Sequence, residues 1–152
     1  MMNLEHEFTY RAALKPPLAV GPGPYGTRLF FEVIDGTFEG KRLKGKMLGG
    51  GGDWLLAGAD GFGRLDVRAQ LVTNDGAAIY LTYFGILELN DKVQKAIGDT
   101  TTGTDYGDQY FRTSPRFETG DPRYAWLNQS TFVAEGHLLP NRTVEYKVYR
   151  VV

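Results

Sequence analysis

Apolar and polar residues alternate with period two through most of this chain. In Arg64–Val72, RLDVRAQLV, the residues Leu65, Val67, Ala69 and Leu71 fall on one face of an extended strand. Arg64, Asp66, Arg68 and Gln70 fall on the other. Ala78–Leu89, AIYLTYFGILEL, is rich in β-branched and aromatic residues and sets Tyr80, Thr82 and Phe84 against Leu81, Tyr83 and Leu87. Between the two lies TNDG, Thr73–Gly76, whose Asn and Gly tolerate positive φ and so predict a hairpin turn. LEHEFTYRAAL, TRLFFEVIDG, RFET, YAWLNQSTFVAEGHL and TVEYKVYRVV read as further strands. Asp35-Gly36, Asp60-Gly61, Asp121-Pro122 and Pro140-Asn141 are turn signals. One helix is predicted, in LNDKVQKAIGD: Asn90 caps it, Val93 and Ile97 stand at i and i+4, and Gly98 ends it.

Strands at this spacing predict an all-β, single-domain antiparallel fold over residues 1–152, with at most one short helix. A sandwich would turn its second face to water, where Asp66, Arg68 and Gln70 need no explanation. A closed barrel would turn one face to a lumen, and a lumen lined by Arg, Asp, Tyr and Asn is a ligand pocket. The 9 Tyr, 2 Trp and long mixed strands favour the barrel. A lumen filled by its own side chains is least favoured, because alternating polar residues are costly to bury dry.

Composition narrows the function classes. Net charge is −1, from 17 basic and 18 acidic residues, so no global field attracts nucleic acid or anionic lipid. The run Lys41, Arg42, Lys44 and Lys46 reads as facing water. With no cysteine there is no disulfide, thiolate nucleophile or Cys-based metal site. His6 and His137 are the only histidines, without HxH or HxxxH spacing, and neither Ser114 nor Ser130 has a histidine positioned nearby in sequence. No metal and no cofactor are expected. The N-terminal segment lacks the pattern of a signal peptide, and no window approaches the ~20 apolar residues of a membrane span. The expectation is a soluble, cytoplasmic protein with a small-molecule ligand and neither nucleic-acid nor membrane partners. A homo-oligomer through an aromatic face is compatible with a barrel of this size.

Three stretches carry candidate chemistry. Leu48–Leu55 reads LGGGGDWL. A phosphate-binding loop would end in Gly-Lys-Ser or Gly-Lys-Thr and open a helix; this run ends in Asp53-Trp54, and no βαβ unit follows. What remains is a glycine bend that aims the acid and the indole. Asp53 is either the cap of its own turn or a carboxylate at a pocket mouth. Asp66 and Arg68 share a strand face, where they pair with each other, meet water, or bind a ligand; an arginine in a lumen would hold a carboxylate or enolate in bidentate fashion. Tyr110–Ser130 is dense in Tyr, Trp, Phe, Arg and Asn. Tyr124, Trp126 and Asn128 share one face there, as ligand walls or as core.

LGGGGDW, DGFGRLDVRAQLVTNDGAAIYL, YFRTSPRFETGDPRYAWLN and GPGPYGTRLFFEVIDGTFEGKRLKG together resemble domain-of-unknown-function family 3237, also called uncharacterised protein family 0311. The resemblance runs from about Phe8 to Val151 and implies a small barrel of lipocalin or avidin type. The family's pattern has Gly-Gly-Ala-Asp-Trp, so glycine replaces alanine at position 52 here while acid and indole remain. No reaction is implied by the resemblance.

Two functional readings follow. In the first, the protein is a cofactor-independent enzyme (lyase, isomerase, hydratase or cyclase) on a small organic metabolite, aromatic or carboxylated. Asp53 would be its general base and Arg68 its anion holder, with Trp54, Asp66, Tyr83, Tyr124, Trp126 and Asn128 around the ligand. In the second, it is a lipocalin-like binding protein without catalysis.

Overall fold

The computed structural model describes residues 1–152 as one antiparallel sheet that closes on itself. The strands are β1 (Leu4–Leu14), β2 (Leu18–Gly23), β3 (Gly26–Gly40), β4 (Lys44–Met47), β5 (Gly52–Ala57), β6 (Phe62–Thr73), β7 (Ala78–Glu88), β8 (Phe111–Glu118), β9 (Phe132–Leu139) and β10 (Thr143–Val151). Helix α1 (Asp91–Gly98) and a 3-10 helix (Pro122–Leu127) complete the chain. The wall runs β1-β10-β9-β8-β7-β6-β4-β3, and β3 pairs with β1 again to close it. Because β4 and β5 lie end to end in the slot between β3 and β6, the barrel has eight strands. The remaining strand, β2, is an arm on the first half of β3.

Closure decides which face of each strand is inside. On β6, Leu65, Val67, Ala69 and Leu71 are buried while Arg64, Asp66, Arg68 and Gln70 stand on the outer wall. The expectation of a polar lumen is therefore corrected. Turning the apolar set inward removes it from water and leaves the charges solvated, and a period of two allows no mixture.

β3 is long enough to change partners midway. Its inward residues are Phe31 and Val33 in the first half and Phe38 in the second, with Ile34 and Asp35 both exposed between them. The register with β1 slips at the same point, between Ala13 and Leu14. Asp35-Gly36, expected as a turn, is thus a bulge within a strand. Glycine is required because a methyl at position 36 would run into the Arg11 carbonyl and crowd Met47.

One end of the barrel is plugged. Phe8 meets Phe38 and Phe117 edge-on at centroid distances of 6.1 and 5.4 Å, and Phe117 meets Phe132 at 5.1 Å. β8 and β9 share only two paired positions, Arg112–Glu135 and Thr113–Ala134. Beyond these, the buried Leu127 of the 3-10 helix joins the aromatic plug. Tyr124–Leu127, expected within a strand, lies in the 3-10 helix instead, with Asn128 as its C-cap. Asp121 accepts the Arg123 N–H at 2.9 Å and Pro122 occupies the first turn, a strong helix start that overrides the alternation.

The other end is open, and α1 stands beside it. Asn90 caps α1 through the Val93 N–H at 3.0 Å, Val93 and Ala96 are buried, and Ile97 reaches the cavity. No helix is long and apolar enough to cross a membrane.

Candidate functional site

The open half of the barrel encloses a small, mostly apolar cavity of about 70 Å³ that opens to solvent at its mouth. Seventeen of its 21 lining residues are hydrophobic, so each polar group that reaches it stands out. Those groups are Asp53, the hydroxyls of Tyr83 and Tyr146, Arg142 and Thr143.

Asp53 owes its direction to the glycine run. The chain leaves β4 at Met47, opposite Leu71, and re-enters the same slot at Gly52, opposite Arg68. Gly50 turns with φ 93°, and a methyl at Gly51 would overlap the Arg68 carbonyl. At Gly52 a methyl would overlap the Phe30 ring, which packs on Trp54 at 4.8 Å. The bend leaves Asp53 between Phe31 and Val67 and facing inward, whereas Trp54 lies on the outer wall.

The ladder between β5 and β6 is interrupted after the Asp53–Val67 pair and resumes at Leu56–Arg64. Within the gap, Asp53 Oδ1 accepts the Asp66 N–H at 3.1 Å and takes the place of a missing carbonyl. Its Oδ2 has no partner in the chain, and no cation pairs with it. Burial pushes the Asp53 carboxyl up to about 7, the Asp66 charge adds to the rise, and the Asp66 N–H opposes it. Asp53 thus ties down its own strand with one oxygen and offers the other to the cavity.

A cluster of phenols faces this acid. Tyr83 donates to Tyr146 Oη at 3.3 Å, Tyr10 stacks on Tyr146 at 4.8 Å, and Phe111 meets Tyr146 edge-on at 5.1 Å. Burial raises the pKa of all three tyrosines, and the Asp53 charge contributes to each rise, so they are neutral hydrogen-bond donors. Gly136 lies opposite Tyr146, and a methyl there would collide with the tyrosine ring.

Of the residues singled out from sequence, the structure brings Asp53 and Tyr83 together in the cavity. It places Arg68, Asp66 and Trp54 on the outer wall, so Asp53 and Arg68 diverge. Tyr124, Trp126 and Asn128 lie toward the plugged end. Tyr124 donates to Asp75 at 2.7 Å, Trp126 lies under the Arg42 guanidinium at 3.6 Å, and Asn128 bridges Thr119 N–H and C=O. Sequence reading passes over Tyr146 and Arg142. Alternation in TVEYKVY signals the inward Tyr146, but no local pattern signals Arg142, whose direction depends on a turn. No group of three or more His, Cys, Asp or Glu side chains is placed to hold a metal ion.

Comparison with known proteins identifies the family and the barrel fold. The model of a family described as "Protein of unknown function (DUF3237)" matches residues 2–151. A UPF0311 protein of Clostridium acetobutylicum is 33% identical over 99% of this chain and 94% of its own length. The PR-toxin biosynthesis cluster protein 7 of Penicillium roqueforti is 31% identical over 79% of this chain, which spans 63% of that protein. Among solved structures, a conserved protein of unknown function from Rhodopseudomonas palustris superimposes with a TM-score of 0.88 at 28% identity, covering 100% of this chain and 99% of that one. A beta-barrel like protein from Acinetobacter baumannii gives 0.83 at 31% identity, covering 100% and 97%. An enzyme from Penicillium herquei gives 0.70 at 21% identity, covering 99% and 95%, a likeness of fold alone. The barrel and its cavity are compatible with an enzyme or a binder of small molecules.

Proposed function

The chain belongs to the DUF3237 family, and from that premise we propose that it is a cofactor-independent acid–base enzyme acting on a small, largely apolar organic metabolite. The observation that carries this reading is Asp53: a carboxyl in an apolar cavity, without a counter-ion, raised to about 7. A group with that value holds and releases a proton equally well near neutral pH, which is what a general base that must also act as an acid requires. Burial also strengthens the basicity of its unpartnered Oδ2.

The chemistry follows from the groups available. Asp53 Oδ2 takes a proton from a C–H or O–H of the substrate. The electron pair left behind shifts toward a substrate oxygen, where the Tyr146 or Tyr83 hydroxyl donates a hydrogen bond to the growing negative charge. The Tyr83 hydrogen lies between the two tyrosines, which makes Tyr146 the donor this contact leaves uncommitted. Asp53 then returns the proton at a second atom. Isomerisation, elimination, addition of water and ring closure all balance on this scheme without an external oxidant or reductant. A relative named for a toxin biosynthesis cluster is consistent with such small-molecule work.

The test is a screen of apolar carbonyl and phenolic metabolites for turnover, repeated with Asp53→Asn. Asparagine keeps the acceptor for the Asp66 N–H and removes the base. Loss of turnover with the fold retained supports the proposal; undiminished turnover overturns it. The apolar lining also supports a second reading, a carrier. Its signature is tight binding without product in both proteins.

A further inference from the structure

Three of the arginines have no hydrogen-bonded or ionic partner for their side chains: Arg68, Arg116 and Arg142. Arg68 and Arg116 are exposed on the outer wall, where water serves them. Arg142 is different. It lines the cavity, it is only partly accessible, and its Nε is sealed from solvent with no acceptor in the chain. A buried donor on a cation without an acceptor is costly, and such groups in native proteins are satisfied.

The backbone indicates that this placement is held against a preference. Arg142 adopts φ 52° in the turn between β9 and β10, following Asn141 at φ 65°. Asparagine visits this region readily, but for arginine it costs roughly 1–2 kcal/mol. The turn is fixed from both sides: Leu14 N–H donates to the Arg142 carbonyl at 2.9 Å, and Asn141 N–H to the Thr100 carbonyl at 2.7 Å. Strain at one charged residue, maintained by two outside hydrogen bonds, is the pattern of a positioned functional group.

Arg142 and Asp53 do not neutralise each other. No ion pair joins them, although both line one cavity whose walls are otherwise apolar. An unpaired cation in the turn between β9 and β10, sharing one apolar cavity with an acid on β5, matches a ligand with an anionic head and an apolar body. We infer that Arg142 is the anion-binding residue of the cavity and that the ligand class is small organic monoanions, carboxylates foremost, whose apolar part lies toward Asp53. Arginine presents two parallel N–H donors that suit a carboxylate, and the dry surroundings strengthen the pair. This deepens the acid–base reading and rests on the same cavity.

The probes are 2-naphthoate and its uncharged counterpart 2-naphthylmethanol, titrated calorimetrically at about pH 6, where the Asp53 carboxyl is mostly protonated and the naphthoate is ionised. The wild-type protein is expected to prefer the carboxylate. Arg142→Gln should weaken naphthoate roughly ten- to a hundredfold, the worth of a charge-assisted hydrogen bond, and change the alcohol less than about twofold. Arg142→Asn, suited to the left-handed backbone, is the second variant and should behave alike. Equal affinity of the two probes for the wild type, a preference that survives both variants, or equal losses for both probes overturns the inference. Asp53→Asn should leave the preference in place. Failure of the acid–base reading therefore shows as turnover that survives Asp53→Asn, and failure of this one as a preference that survives loss of Arg142.

Discussion

Replacing Asp53 with asparagine should make the protein more stable than wild type above neutral pH and not below pH 4. In the folded barrel the carboxyl titrates at about 7, against 3.8 in the unfolded chain. Between those values the native state holds a proton that the unfolded state has released, so the native state loses ground as pH rises. Asp53 contributes a slope of about −1.4 kcal/mol of stability per pH unit over that window. Across roughly three units the accumulated penalty is about 4 kcal/mol, a ceiling that screening by water at the mouth lowers to roughly half. The other carboxylates do not confuse the comparison. Glu7, held between Arg42 and Arg150, and Glu145, bonded to His137 and Arg11, titrate low, but identically in both proteins. Urea unfolding at half-unit steps from pH 4 to 8 measures the difference directly. The stability of Asp53→Asn minus that of wild type should climb by about 2–4 kcal/mol, or roughly 5–15 °C in midpoint temperature for a chain of this size. A difference flat to about 0.5 kcal/mol would refute the buried-carboxyl argument, and a falling one would show that Asp53 is paired.

Other outcomes test the frame around the site. Arg68→Ala should change stability by no more than about 0.5 kcal/mol and leave cavity binding untouched, because the side chain is on the outer wall; calorimetric titration with 2-naphthoate checks this. Gly51→Ala should cost more than Gly50→Ala in urea unfolding. The first drives a methyl into the Arg68 carbonyl, while the second meets open space and pays only the left-handed strain of about 1–2 kcal/mol. Phe117→Ala should destabilise by about 3–5 kcal/mol, since it empties the aromatic plug between Phe8 and Phe132. Asn90→Ala should cost about 1 kcal/mol by stripping the cap of α1.

Much of the wall is legible from sequence because strand pairing writes itself into local alternation. β6, β7 and the TNDG turn between them stand where the pattern places them, with Gly76 at φ 92°. So does the short helix with its Asn90 cap. What alternation cannot state is which face closes inward. Arg68 and Asp66 read equally well as lumen or surface until the neighbouring strands are in place. YAWLN alternates as a strand does, but Asp121-Pro122 starts a helix there, and the aromatic residues divide between plug and surface. In the site, the glycine run marks Asp53 because a run of missing side chains is visible without any partner. Arg142 carries no such mark. Its role in the cavity comes from two backbone angles and two hydrogen bonds to distant segments.

The detour at the glycines also sets a rule of parity. From Met47 to Gly52 the chain advances five residues while its neighbour, from Leu71 to Arg68, advances three. The surplus is two, an even number, so the strand resumes in the phase it left and Met47, Asp53 and Leu55 all point inward. Removing one glycine would either strain the turn with Asp53 kept in register or slip β5 by one residue and turn Asp53 and the buried Leu55 outward together, while removing two lets the strand keep its phase. Natural variants of this loop can be sorted by odd or even length before any of them is assayed.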